Sequence, residues 1–164
     1  MSKKKATKST LEPLTVARGV GAGDDWVTVE VGDLREAMAT LKSDGYKAYG
    51  FVTCVDHLPA EPRFELIYQV RDMDRKRQMR VRTFLPADQP SAPTVSDIYP
   101  PANWDERETF DLFGIDFEGH PDLTRILLPD DWVGHPLRRD YPVGGETVDF
   151  SEDHATWQTA PERA

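Results

Sequence analysis

A chain of 164 residues, 38% hydrophobic and 30% charged, has material for one domain with a sizeable core and for appendages around it. Its single cysteine, Cys54, excludes an intrachain disulfide and any zinc ribbon or iron–sulfur cluster held by this chain alone, and fits a reducing compartment. The net charge of −9 is concentrated in residues 104–164, where fifteen acids face five basic residues; that balance repels phosphates, arguing against nucleic acid or anionic lipid as a partner and for a basic protein, while no apolar run approaches the ~20 residues needed to cross a bilayer.

Met1 to Gly23 reads as a flexible tail: Lys3, Lys4, Lys5 and Lys8 are followed by Thr, Pro and Gly, and no secretory stretch is visible. Gly19, Gly21 and Gly23 space like part of a dinucleotide fingerprint, but they precede the first strand, whereas a phosphate cradle must follow a strand and open a helix. Trp26–Val31 alternates with period two and puts three valines on one face. Asp33 is placed to cap a helix with Glu36 at its third position; Leu34, Ala37, Met38 and Leu41 form its apolar stripe, and Gly45 ends it.

Tyr46–Val55 is predicted as a second strand, buried on both faces toward its end by Phe51, Val52, Cys54 and Val55. In that setting Cys54 is a buried structural thiol and not a nucleophile paired with His57. Phe64, Leu66, Tyr68 and Val70 alternate with Glu65, Ile67, Gln69 and Arg71, a turn follows at Asp72–Asp74, and Met79, Val81, Thr83 and Leu85 alternate again, which makes an antiparallel hairpin. Pro86–Pro93 is a loop, and Thr94 caps a single helical turn through Ile98 before Pro100 and Pro101 close it.

The next helix is predicted over Trp104–Phe113. Asn103 supplies the N-cap with Glu106 reaching back as a capping box, Arg107 and Asp111 form an i,i+4 pair, and Gly114 stands at the left-handed C′ position. Pro121, Pro129, Pro136 and Pro142 then keep the chain extended, an arm whose apolar groups have no local counter-surface and which is expected to be partly disordered alone. The fold class expected is α/β of the α+β kind: a small mixed sheet with an antiparallel hairpin, one or two packed helices, and a long extended C-terminal arm. Its divisions are a basic tail (1–23), an α/β module (24–99), helix and arm (100–143), and an acidic tail (144–164).

Two constellations imitate active sites. Glu106 and Glu108 lie about 200° apart around a helix and do not share a substrate. His57, His120 and His135 lack any metal-ligand spacing, and each imidazole is expected to fix a turn by bonding backbone or carboxylate. Trp104 and Trp132 read as interface anchors. A free-standing acidic, metal-dependent hydrolase stands as a distant alternative.

Asn103-Trp104, Glu106-Arg107-Glu108, Asp111-Leu112-Phe113-Gly114-Ile115, Gly119-His120-Pro121-Asp122-Leu123, Arg125-Ile126-Leu127 and Gly134-His135-Pro136-Leu137-Arg138-Arg139-Asp140-Tyr141-Pro142 together resemble the 30 kDa subunit family of respiratory complex I, the proton-pumping NADH:quinone oxidoreductase. Upstream the likeness is looser, carried by Phe64–Tyr68 and Arg80-Val81-Arg82; Met1–Gly23 fits nothing, and Arg139 stands where the family often has Lys. The resemblance implies an accessory subunit of an NADH:quinone oxidoreductase. It would hold no cofactor and no catalytic residue itself, with iron–sulfur clusters, FMN and quinone in its partners. It would pack on the large 49 kDa-type subunit near the iron–sulfur subunits B and I. Membrane association would come only through those partners, on the cytoplasmic face of the bacterial inner membrane; no Arg-rich presequence favours the mitochondrial matrix. The residues expected at the partner interface are Trp104, Glu106, Arg107, Glu108, Asp111, His120, Arg125, Trp132, His135, Arg138 and Arg139. The same family serves ferredoxin- or F420-linked quinone reductases and membrane-bound nickel–iron hydrogenases, which the motif does not separate.

Overall fold

The computed structural model describes residues 11–20 and 24–142. In chain order the elements are β1 (Thr15–Val20), β2 (Asp24–Val29), α1 (Leu34–Ser43), β3 (Ala48–Asp56), β4 (Phe64–Asp72), β5 (Arg77–Leu85), β6 (Ser91–Pro93), α2 (Ala102–Phe113) and β7 (Asp116–Glu118). The lysine cluster and the acidic segment from residue 144 lie outside the described residues.

Five strands form one mixed sheet in the order β1-β2-β5-β4-β3. The hairpin β4–β5 is antiparallel with Phe64 opposite Leu85 and Asp72 opposite Arg77, and β2 runs parallel to β5. Because partners in a ladder share a face, this register puts Val27, Val81, Tyr68 and Val52 on one side and Trp26, Arg80 and Gln69 on the other. Helix α1 lays Leu34, Ala37, Met38 and Leu41 on the first side, as its periodicity requires. Asp33 makes no side-chain cap bond; it belongs to a 3-10 turn over Val31–Asp33 that leads into α1.

Several expectations change. The tail predicted through residue 23 contains β1, which pairs antiparallel with β2, and Leu11 is buried against the core; six residues without clear alternation gain a ladder because β2 offers a free edge. Toward its end β3 buries one face only, with Val52 and Cys54 inward and Thr53 and Val55 exposed, as suits an edge strand. The loop at Pro86–Pro93 holds β6, which pairs in parallel with β7. The core does not stop at residue 99: Ala102, Phe113, Ile115 and Phe117 join the same buried cluster, so the first part of the arm finds its counter-surface within its own chain.

Candidate functional site

Helix α2 starts at Ala102 with Pro101 at the N-cap, and no side chain caps it. The capping box built on Asn103 and Glu106 does not form because Glu106 points into the core, where it is fully buried. Its carboxylate accepts bonds from the Tyr68 hydroxyl (3.1 Å), the Thr94 hydroxyl (2.5 Å) and the Val95 N–H (2.9 Å), tying α2 to β4 and to the turn after β6. Burial pushes the Glu106 carboxyl above the usual range, against the opposing pull of these donors. His120, its ring inaccessible to solvent, lies 3.9 Å away. Asp122 N–H donates to His120 Nδ1, so the ring proton sits on Nε2 and is donated to the Asn103 carbonyl at 3.2 Å. Asp105, one residue before Glu106, accepts from the Tyr49 hydroxyl and from the Val52 N–H, sealing part of the free edge of β3.

The far end of α2 has a different logic. A helix leaves its last carbonyls without intrahelical donors, and here the arm supplies them. Gly114 turns left-handed at φ 69°, the C′ geometry expected of it. His135 Nδ1–H donates to the Asp111 carbonyl (2.9 Å) and the Leu137 N–H to the Leu112 carbonyl (3.1 Å). Arg138 donates to the carbonyls of Phe113 (2.5 Å) and Gly114 (3.2 Å), a cation at the negative end of the helix dipole. A Cβ on Gly114 would run into His135 and Arg138, so glycine serves both the turn and the close approach.

Asp111 is the hub of this arrangement. The predicted Arg107–Asp111 pair is absent; Asp111 instead binds Arg125 at 2.6 Å and accepts the consecutive N–H groups of Ile126, Leu127 and Leu128. Burial alone would raise its carboxyl, but those backbone donors and Arg125 outweigh it and hold the group below the usual range. Arg125 also reaches the carbonyls of Trp132 and Gly134, closing the loop between them. Arg107 donates to the carbonyl and hydroxyl of Thr124 and stacks over Trp104.

The arm's end is joined to the sheet through Arg63 and Asp56, which the sequence motif did not single out. Arg63 grips Asp56 at 2.8–3.0 Å and Asp140 at 2.7–2.9 Å, both in bidentate fashion. Asp56 also takes the N–H of Arg139 (2.9 Å), and Arg139 donates to the Leu58 carbonyl. The Arg63 bond holds the Asp56 carboxyl far below the usual range. Asp140 is the one clue in the motif itself, adjacent to Arg138-Arg139; nothing local marks Arg63, 77 residues earlier, as its partner.

The candidate interface residues thus divide. Glu106, Asp111 and His120 are interior; Arg125, His135 and Arg138 are engaged with carbonyls and Asp111 of this chain. Outward lie Trp104 (62% exposed), Glu108 and Arg139, joined by Leu127, Val133 (85% exposed), Leu137 and the exposed acids Asp116, Glu118, Asp122, Asp130 and Asp131. Trp132 is half-buried, its indole N–H shut off from solvent and without an acceptor among the described residues. The carboxylates of Glu106 and Asp111 each accept at least three bonds, which ties α2 to β4, to the turn after β6 and to the arm.

Known proteins share this fold. A fragment of Nqo5, described as trypsin-resistant (1-134), superposes with a TM-score of 0.59 at 35% identity over 63% of this chain and 86% of the fragment. A chain of the membrane-bound sulfane sulfur reductase (MBS), described as an archaeal respiratory membrane complex, superposes with a TM-score of 0.74 at 27% identity over 87% of this chain and 90% of its own. The C subunit of the NADH-quinone oxidoreductase of Herpetosiphon aurantiacus is 40% identical over 142 residues, 85% of this chain and 83% of that one. Its counterpart in Salinispora tropica is 50% identical over 100 residues, which make up 60% of this chain but only 41% of that longer relative. Residues 27–147 match the model of the family described as respiratory-chain NADH dehydrogenase, 30 Kd subunit, and the chain belongs to that family.

Proposed function

We propose that this chain is the accessory 30 kDa subunit of an NADH:quinone oxidoreductase, without a redox group or catalytic residue of its own. In this reading α2 and the arm lie on the large 49 kDa-type subunit, close to the iron–sulfur subunits B and I. Electrons travel from NADH through FMN and iron–sulfur clusters of other subunits to quinone. The chain reaches the cytoplasmic face of the inner membrane through these partners; among the described residues no helix is long and apolar enough to cross a membrane.

The observation that carries this reading is the inversion of the arm. Arg125 and Arg138 bind inward, while Trp104, Leu127, Val133 and Leu137 stand exposed among carboxylates. Large apolar groups exposed on α2 and on an arm held by internal hydrogen bonds suit a docking surface, and acids among them suit a basic partner. Kinship with the C subunits of NADH-quinone oxidoreductases supports the identity of the assembly.

The test is recovery of the native assembly. A tagged chain is purified from mildly solubilised host membranes, its companions are identified by mass spectrometry, and NADH:quinone turnover is measured. Co-purification with a large quinone-site subunit, iron–sulfur subunits and a flavin subunit is expected; a chain found alone, or turning over substrate by itself, refutes the reading. A second reading, favoured by the likeness to the sulfane sulfur reductase chain, puts the protein in a respiratory complex fed by another donor. Companions lacking the flavin subunit would select it.

A further inference from the structure

Beside the exposed face of α2 lies an open groove of about 430 Å³, within the size range of ligand pockets. One wall is the helix entry, Pro100 and Trp104; the other is the turn at Gly119 and Pro121; Ser96 and Asp97 complete it. Hydrogen bonds tie these walls to the rest of the fold. The His120 bond to the Asn103 carbonyl pins the turn to the helix. Ser96 is fixed by its hydrogen bonds to Thr94, which in turn holds Glu106. Asp97 is gripped by both Arg35 nitrogens at 2.6–2.8 Å. Two prolines and a tryptophan give the open groove its apolar lining beside Ser96, Asp97 and Asn103, with Trp104 62% exposed and the Arg107 guanidinium lying over its ring.

The rim is acidic. Glu108 follows Trp104 by one helical turn on the same side, and Glu118 and Asp122 flank the Gly119–Pro121 wall; all three are exposed. The nearby cations are already engaged, Arg35 with Asp97 and the Thr94 carbonyl, Arg107 with Thr124.

We propose that this groove is the anchor pocket of the interface: it receives one bulky apolar side chain of a neighbouring subunit, presented on a segment whose flanking lysines or arginines meet Glu108, Glu118 and Asp122. The inference rests on the reading above and adds to it the place and the chemistry of the contact. Tryptophans that become buried at an interface are where truncation harms association most, whereas single charges on the rim act mainly through encounter and salt dependence.

The experiment uses the assembled complex in its host. Trp104 is replaced by photoreactive benzoylphenylalanine, the complex is isolated from membranes through a tag on this chain, irradiated, and the cross-linked peptide is sequenced. A partner peptide with a large apolar residue flanked by Lys or Arg is the expected result. In parallel, Trp104→Ala is expected to lower recovered complex about tenfold or more, Trp104→Phe to retain most of it, and neither to shift the unfolding midpoint of the isolated full chain. An acidic or apolar-free peptide, or intact assembly with no cross-link and full incorporation of Trp104→Ala, overturns the pocket while leaving the assignment to the respiratory complex in place. Recovery of the chain with no membrane companions overturns that assignment and the pocket with it.

Discussion

Asp111 and Arg125, fourteen residues apart, meet at 2.6 Å beside the C-terminal end of α2, and the same carboxylate receives the next three backbone N–H groups of the arm. A carboxylate at that end of a helix opposes the dipole; the arm makes it tolerable and is in turn held by it. Helix and arm therefore stand or fall together.

Replacing Asp111 by Ala should remove about 3–5 kcal/mol at neutral pH, because a largely buried guanidinium and three N–H groups lose their acceptor. Equilibrium urea unfolding measures it. The carboxyl lies below its ordinary 3.8 in the folded chain, so this stabilisation is complete above that pH and fades only as pH falls through the folded value. A gap between wild type and Asp111→Ala that closes already near neutrality would contradict the role given to the ionised group.

Arg63→Met should detach the arm's end without dissolving the sheet. Asp56, nearly inaccessible, would keep the Leu58 N–H but lose its cation, and with the arm's end released it would also lose the Arg139 N–H. Amide exchange of Leu137–Tyr141 should rise at least tenfold, and exchange in β4 and β5 should change little. Uniform loss of protection across the chain would show that Arg63 supports the core as a whole.

Glu106 titrates in the opposite sense. Its folded carboxyl lies above the ordinary 4.5, so the folded chain holds its proton more tightly than the unfolded chain. That contribution is present below the ordinary value and lost as pH rises through the folded one. Glu106→Gln, which cannot ionise, should therefore gain on wild type as pH is raised from about 4 to about 8. A stability difference independent of pH would disprove the assignment.

Cys54 is buried, and burial pushes its thiol up to about 12. Native protein should label with a thiol reagent orders of magnitude more slowly than denatured protein, because the thiolate is scarce and the sulfur unreachable. Fast native labelling would contradict the packing of β3.

Leu137→Asp separates folding from assembly. The side chain is 51% exposed while its N–H caps Leu112, so the unfolding free energy should move by no more than about 0.5 kcal/mol. Incorporation into the membrane complex should fall sharply. Unimpaired incorporation would remove Leu137 from the docking surface.

Helix α1, the β4–β5 hairpin and the Gly114 turn are legible from residue order, since each depends on neighbours a few positions away: an apolar stripe, an alternation, a glycine after a periodic run. The three histidines are legible too as fixers of turns, and each bonds backbone or carboxylate. The motif from Asn103 to Pro142 is dense enough to point to a family.

The direction in which that motif faces is not legible. Glu106 has the spacing of a capping box and Arg107–Asp111 that of a helical ion pair, yet both acids find better donors across the fold: Tyr68 and Thr94 for one, Arg125 and three amides for the other. Desolvating a carboxylate is tolerable only where several donors converge, and which donors converge depends on how α2 lies against β4 and how the arm folds back. Order along the chain specifies which groups are available; the packing of helix, sheet and arm selects the partners and leaves Trp104 and the outer carboxylates exposed.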